Sequence, residues 1–187
     1  MDNLKQYIAS VTEFSEQSWV ALSNCMTEMK IRRNEMLLRE GQNCNSIFFI
    51  ITGLCKAYHN LDGKEINTAF YFENEFATNI KSLITSSKSH YSIKACEKMS
   101  VVKLDRTRLL EAYNKSHQIE TFGRKVLEMI IAKQEEHSDC FKLLTPRQRF
   151  ENVIQKHPDF LQRVSLTQTA SYLGISRETL SRFRAVK

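Results

Sequence analysis

The sequence predicts an α+β fold, with an N-terminal antiparallel jelly-roll β-barrel, a long central helix and a C-terminal helix-turn-helix. Three observations predict it. Residues 29–105 run as short extended stretches, each closed by turn residues, as in a small all-β unit. A long amphipathic stretch begins near His117. Near the end of the chain, Ser165 to Phe183 reads as two short helices bent around Gly174.

Residues 2–27 carry Leu4, Ile8, Val11, Phe14, Trp19, Leu22 and Met26 at intervals near 3.6 and are predicted to be helical. Extended runs follow. Met36-Leu37-Leu38 ends at Gly41, Ile47 to Ile51 ends at Gly53, and Leu54 to His59 ends in Asn60-Leu61-Asp62-Gly63. Asp-Gly between two strand-like runs is a strong hairpin signal. Ile66 to Phe72, Tyr91 to Ala95 and Met99 to Leu104 complete a set expected to give about eight strands. Between them, Glu75 to Leu83 reads as a short inserted helix. Helix N-termini attract anions, so a small ligand would dock there. The alternative is a helix that only covers the barrel mouth.

Arg106 to Asn114 reads as another short helix, leading into a long one from His117 to Phe141. There Ile119, Phe122, Val126 and Met129 alternate by three and four, the spacing of a helical seam. Leu127, Ile130 and Ile131 widen the apolar face. A face this wide points to packing on both the barrel and a partner helix, so Ile119, Phe122, Val126, Met129 and Ile130 form the expected dimer interface. Packing on its own barrel alone is the competing explanation. Thr145-Pro146-Arg147-Gln148 then has the form of a capping box with proline at the first helical position. Lys142 to Leu144 becomes the expected hinge. The expected units are a sensor barrel with its leading helices (1–116), a dimerisation helix (117–141) and a helix-turn-helix domain (142–187).

Within the last unit, Ser165 and Gln168 can cap the first helix reciprocally. Ala170 and Leu173 share one face, and Gly174 tolerates the left-handed backbone of a sharp exit. Ile175 plugs the angle, Ser176 caps the second helix, and Leu180 and Phe183 point back at the first. Arg177, Glu178, Ser181 and Arg182 remain on the outer face. Such residues suit the major groove, where an arginine fork matches guanine and a carboxylate accepts from cytosine. An ordinary helical hairpin with a solvated charged face is the bland alternative.

Charge weighs against that alternative. The net charge is +6; from Lys142 onward there are nine Lys/Arg against three Asp/Glu, whereas residues 1–141 hold eighteen of each. A local basic excess attracts polyanions and makes binding salt-dependent. Double-stranded DNA is the expected partner. An anionic membrane surface fits less well, because the segment consists of short capped helices, not one long amphipathic one. No run approaches a membrane span and Met1 to Ser10 lacks a signal-peptide core, so a cytoplasmic location is expected. Cys25, Cys44, Cys55, Cys96 and Cys140 are scattered with no C-x-x-C pair, which predicts reduced thiols and no metal or other cofactor.

Barrel, long helix and helix-turn-helix in this order resemble the CRP/FNR family of bacterial transcription regulators, over essentially the whole chain. The most specific stretches are Gly174-Ile175-Ser176-Arg177-Glu178-Thr179-Leu180-Ser181-Arg182 and the hairpin Leu61-Asp62-Gly63-Lys64-Glu65. Arg39-Glu40-Gly41 and Ile50-Ile51-Thr52-Gly53 match the family's barrel glycines less specifically. The short C-terminal form, with Ala170-Ser171-Tyr172-Leu173-Gly174, looks like a subgroup common in Bacteroidetes. The resemblance implies a homodimer joined along its central helices and bound to a two-fold symmetric DNA site, with RNA polymerase as a further partner. Positions matching Arg177, Glu178 and Arg182 touch base edges in the family. Those matching Ser176, Thr179 and Ser181 lie close to bases or phosphates, and Thr167 and Gln168 complete the expected DNA-contacting set.

The sensor half departs from the family's cyclic-AMP pattern. Where those proteins place Gly-Glu at the start of the inserted helix, this chain is expected to align Asn74-Glu75. Where they place Arg-Ser or Arg-Thr before the next strand, it has Ser89-His90. The arginine that would neutralise a cyclic phosphate is missing, and a lysine ammonium is no substitute for a planar fork. A small-molecule effector, if one exists, is expected near Glu75, Phe76, Lys81, Ser82, Ser89 and His90. No nucleophile–base pair, paired-acid motif or phosphate-gripping glycine loop suggests an enzyme. The competing function is a ligand-binding signalling module whose basic tail contacts a protein or membrane.

Overall fold

The computed structural model describes residues 1–185. The leading helical stretch is two helices, α1 (Asp2–Val11) and α2 (Glu16–Ser23), not one. The chain extends at Thr12 (φ −157°), and Ser15 starts a new helix by accepting a hydrogen bond from the Ser18 amide. Eight strands follow among the described residues: β1 (Met26–Ile31), β2 (Met36–Leu38), β3 (Ser46–Thr52), β4 (Cys55–Leu61), β5 (Lys64–Tyr71), β6 (Phe76–Ala77), β7 (Ser92–Ala95) and β8 (Met99–Asp105). They form two four-stranded antiparallel sheets, ordered β1-β8-β3-β6 and β2-β7-β4-β5. The expected strand count and antiparallel class are met, but the barrel is not closed.

The inserted helix is shorter and later than the sequence suggested. Asn74 (φ +64°) makes a turn, Phe76–Ala77 pair with β3, and only Ile80–Thr85 are helical, as α3. The apolar spacing of Phe76, Ile80 and Leu83 mimics a helix. Cross-strand pairing of Phe76 with Phe49 overrides it. Consequently Asn74-Glu75 do not stand at the start of the inserted helix; Asn79 caps it instead.

β3 is buried from Ser46 to Ile50 because it is covered on both faces. One cover is the leading helices: the Tyr7 ring lies 5.3 Å from Phe49 and 5.5 Å from Phe76. Helices α4 (Arg106–Tyr113) and α5 (His117–Leu143) close the same layer. Ile119, Phe122 and Val126 are at most 3% exposed and belong to this core, with Phe14 packed edge-on against Phe122. These three expected interface residues therefore face inward, into the core of their own chain. Met129 is 46% exposed, touching Tyr7, and Ile130 is half-buried against the core. The outward apolar side of α5 is instead Leu127 and Ile131, the latter 60% exposed.

α5 continues through Lys142 and Leu143, two of the three residues of the expected hinge, and only its cap, Leu144, is extended. Thr145 and Gln148 cap α6 (Pro146–Lys156) reciprocally. A short helix, α7 (Phe160–Arg163), comes next and was not legible beforehand. α8 (Leu166–Leu173) and α9 (Arg177–Ala185) complete the described residues. Among the described residues no helix is long and apolar enough to cross a membrane.

Gly53 ties the sheets together at a point of close approach. Its φ is +87°, and a Cβ there would lie 2.5 Å from Met99 Cβ and 2.7 Å from the Lys98 carbonyl oxygen. Gly53→Ala is expected to destabilise the fold by about 2–4 kcal/mol, combining left-handed strain with overpacking. Thermal or urea unfolding of the purified variant checks it; an unchanged midpoint would contradict this account.

Candidate nucleic-acid interface and effector cavity

The helix-turn-helix is assembled from local signals. Ser165 and Gln168 form a reciprocal capping box on α8. Gly174 adopts φ +68°, and the Ile175 amide reaches back to the Ala170 carbonyl, closing the exit. Ser176 accepts from the Thr179 amide at 3.1 Å and so starts α9. Ala170, Leu173 and Leu180 are at most 3% exposed and pack with Phe150, locking the inner faces together.

The outer face is then set by helical geometry. Arg177, Glu178, Ser181 and Arg182 are all exposed, and Ser176 is exposed beside them. Thr179 is half-buried. Hydrogen bonds from its own backbone amide and from Ser176, with Arg177 and Arg182 nearby, hold the Glu178 carboxyl below the usual range. On α8, Thr167 is exposed, whereas Gln168 is partly committed: its Oε1 accepts from Ser165 in the cap and its carbonyl accepts from Asn67 Nδ2 at 3.3 Å.

That last contact belongs to an interface the sequence did not suggest. α7 and α8 dock on the sheet containing β4 and β5. The Asn67 amide donates to Ser171 Oγ at 3.0 Å, and Ser171 Oγ donates to the Glu65 carbonyl at 3.3 Å. Phe70 meets Phe160 and Tyr172 edge-on at 5.2 and 5.3 Å. Phe72 stacks on His157 at 3.7 Å. Arg163 anchors one edge, donating two bonds to Glu73 (2.7 and 3.1 Å), one to Glu97 (2.6 Å) and one to Asp159 (3.0 Å). The one available signal was the apolar run Phe70, Phe72, on the opposite strand face from Ala69 and Tyr71.

The expected effector residues are dispersed. Lys81 and His90 are on the surface. Phe76 is in the core, and Glu75 accepts from the Phe72 amide and pairs with Lys133 at 2.6 Å. Only Ser82 and Ser89 meet, through Asn79. Asn79 Oδ1 accepts from the Ser82 amide at 3.0 Å, and Asn79 Nδ2 donates to Ser89 Oγ at 2.7 Å. Ser89 Oγ donates on to the Tyr91 carbonyl at 2.6 Å, and Ser82 Oγ to that of Ser87 at 2.5 Å. Asn79, Ser82 and Ser89 are at most 4% exposed. Where an anion cradle would be, the polar groups bond one another, and among the described residues no cation joins them.

A separate cavity of about 220 Å³ lies between β5, α5 and α8. Thr68, Tyr71, Tyr91, Gln134, His137 and Tyr172 line it. Among the described residues no group of three His, Cys, Asp or Glu side chains could hold a metal ion.

Residues 28–116 match the family model of the cyclic nucleotide-binding domain. Solved structures share the fold of the longer chain. FixK2 from Bradyrhizobium japonicum aligns with a TM-score of 0.71 at 22% identity, covering 86% of this chain and 83% of that one. The c-di-GMP-responsive global regulator CLP of Xanthomonas campestris aligns with a TM-score of 0.71 at 14% identity, over 91% and 90%. A cyclic nucleotide-binding domain containing protein from Listeria monocytogenes aligns with a TM-score of 0.67 at 18% identity, over 98% and 89%. No curated protein matches the sequence. Residues 28–116 thus match a cyclic nucleotide-binding domain model, and the chain as a whole shares the fold of these three structures.

The docking clamp has a calculable pH response. Burial raises the Glu73 carboxyl, but hydrogen bonds from Arg163 and from the Glu73 and Gly53 amides prevail and hold it below its ordinary value. A carboxyl depressed in the folded state stabilises that state above its unfolded pKa of about 4.3, and the contribution is lost as pH falls through the folded value. Docking of α8 is expected to be constant from pH 7 to 5 and to loosen below about 4. Arg163→Leu should loosen it at neutral pH by about 1–2 kcal/mol, the cluster being partly solvated. Hydrogen exchange of β5 and α8 amides, corrected for intrinsic rates, checks both; an Arg163→Leu profile identical to the parent would contradict them.

Proposed function

We propose that this chain is a homodimeric, sequence-specific DNA-binding transcription regulator of the CRP/FNR type, acting in the cytoplasm and not answering to cyclic AMP. The carrying observation is the outer face of α9. Two arginines, a glutamate and a serine stand exposed on a capped helix whose other face is locked into a core. Arg177 and Arg182 are placed to read guanines, Glu178 to accept from a cytosine amino group, and Ser176, Thr179 and Ser181 to approach bases or phosphates. Thr167, at the first turn of α8, is placed to meet the backbone.

One such helix reads only a few base pairs. A two-fold symmetric site requires two, about 34 Å apart along the DNA. The side of α5 bearing Leu127 and Ile131 supports pairing of central helices, since an apolar residue as open as Ile131 otherwise stays in water. Ile84 and Leu110, 59% and 44% exposed, give the same surface two further apolar residues. The dimer face is therefore rotated from the Ile119–Phe122–Val126 line to the Leu127–Ile131 line. The signalling-module alternative has no comparable support, because it leaves the groove-reading residues of α9 without a task.

Three measurements test this reading. Arg182→Ala is expected to weaken binding to a selected operator by about 1–3 kcal/mol while leaving random-sequence binding nearly unchanged, as measured by gel shift. Equal losses on both would reduce Arg182 to a phosphate contact. Ile131→Glu is expected to yield folded monomers in sedimentation equilibrium, whereas a dimer of parental affinity would move the interface elsewhere. Calorimetry with cyclic AMP is expected to show no micromolar binding, given a cradle with no cation.

A further inference from the structure

We propose that a basic cleft at one end of the sheet β1-β8-β3-β6 binds a small phosphorylated molecule through its terminal phosphate or diphosphate. The cleft is open and holds about 470 Å³, room for a small ligand. Its walls come from β1, β3, β8 and the turns at their ends, with no residue from α3 or from the helix-turn-helix. The assignment therefore stands whether or not α9 reads DNA.

Strand register builds the cleft. Lys30 lies opposite Ser100, and Ser100 opposite Thr52, on the neighbouring strands β1, β8 and β3. Strands are spaced by about 4.8 Å, so an ammonium and two hydroxyls form a row roughly 10 Å long. Two turns bring further cations to it. Arg32 follows β1 in a turn that Asn34 (φ +67°) closes: the Glu35 amide donates to the Arg32 carbonyl at 3.0 Å, and the Asn34 amide to that of Ala95 at 2.9 Å. Lys98 precedes β8, and the close approach that Gly53 allows sets it beside Thr52. Ile31 and Met99, buried in the core behind the row, anchor this end of β1 and β8.

Charge decides the ligand. Among the described residues Lys30, Arg32 and Lys98 form no ion pair, and the Thr52 and Ser100 hydroxyls have no hydrogen-bond partner. The neighbouring carboxylates are engaged elsewhere. Glu28 takes the Met1 ammonium, Glu35 accepts from the Arg32 amide, and Glu73 and Glu97 pair with Arg163. Three like charges gathered without a counterion repel one another, and an anion among them removes that repulsion. A guanidinium fork, two ammonium groups and two hydroxyls together match the several oxygens of a phosphate. A lone carboxylate, with two oxygens and one charge, leaves most of these donors unanswered. Lys30, Arg32, Thr52 and Lys98 are exposed while Ser100 between them is partly buried, so the donors surround a hollow. That shape favours a small anion over an acidic protein laid across the rim.

Pyrophosphate serves as the probe, added to the full-length chain at about 0.15 M ionic strength, where exposed charges are well screened. Acetate and hexaglutamate are the comparators. Calorimetry and phosphorus NMR are expected to show pyrophosphate binding at least tenfold tighter than either. Lys30→Gln combined with Lys98→Gln should weaken it at least tenfold. Ser100→Ala, which keeps every charge, should weaken it at least threefold, and Arg182→Ala, on α9, should keep the parental affinity. Melting temperature and circular dichroism confirm that each variant is folded. Hexaglutamate bound as tightly as pyrophosphate would make the cleft a protein-docking surface. Loss of binding in Arg182→Ala with retention in the double variant would place the anion on α9, and parental affinity in Ser100→Ala would reduce the effect to general charge attraction. Each of these outcomes, or no pyrophosphate binding at millimolar concentration, overturns the proposal. The probe comparison needs only the native chain, so it decides even where a variant fails to fold.

Discussion

The arrangement depends on the contact between the helix-turn-helix and the sheet containing β4 and β5. Two kinds of force act there, and their magnitudes separate their roles. Burying aromatic side chains such as Phe70, Phe72 and Phe160 contributes about 1.5–3 kcal/mol each. The Arg163 cluster is partly solvated, with its carboxylate partners 33–50% exposed, so each pair contributes no more than about 1 kcal/mol. The rings hold the domain on; the guanidinium decides how it sits. A planar fork meeting Glu73 with two bonds fixes rotation in a way that stacked rings, which tolerate sliding, do not.

The same surface explains a buried lysine. Lys56 is 1% exposed, an expensive place for an ammonium unless it is paired. Glu65 answers it at 2.5 Å and also binds Lys94, while Tyr58 places its ring within 5.0 Å of both ammonium groups. Hydrogen bonds from the two lysines outweigh burial and keep Glu65 below the ordinary carboxyl range. Its backbone carbonyl meanwhile accepts from Ser171. One residue of the β4–β5 hairpin therefore joins the charge cluster of the sheet to α8, the first helix of the helix-turn-helix.

What could be read in advance was whatever chemistry is local. Thr145 with Gln148, Ser165 with Gln168, Ser176 with Thr179 and the left-handed Gly174 are all decided within four residues, and the structure shows each of them. The strand runs were legible for the same reason. Misreadings arose where long-range contacts overrode local period. Phe76 sits in a helix-like pattern but pairs with Phe49, far away in sequence. Ile119, Phe122 and Val126 form a seam whose partner could be a second chain or the molecule's own core, and periodicity alone cannot distinguish the two. Here Phe14 and the leading helices claim them, shifting the free apolar side by one position to Leu127 and Ile131. The docking interface was invisible because Arg163, Glu73 and Glu97 have no fixed spacing to announce it.

Residues 28–116 have the shape of a cyclic nucleotide-binding domain, and the buried polar groups around α3 are already paired with one another. An empty anion cradle lined by polar side chains would hold several orphaned donors, each costing about 1–3 kcal/mol if buried. Asn79, Ser82 and Ser89 avoid that cost by bonding one another and nearby carbonyls, so the cradle is self-satisfied and a phosphate would have to break it open. What the fold still needs from this region is a rigid support for α5, and Glu75 provides one through Lys133.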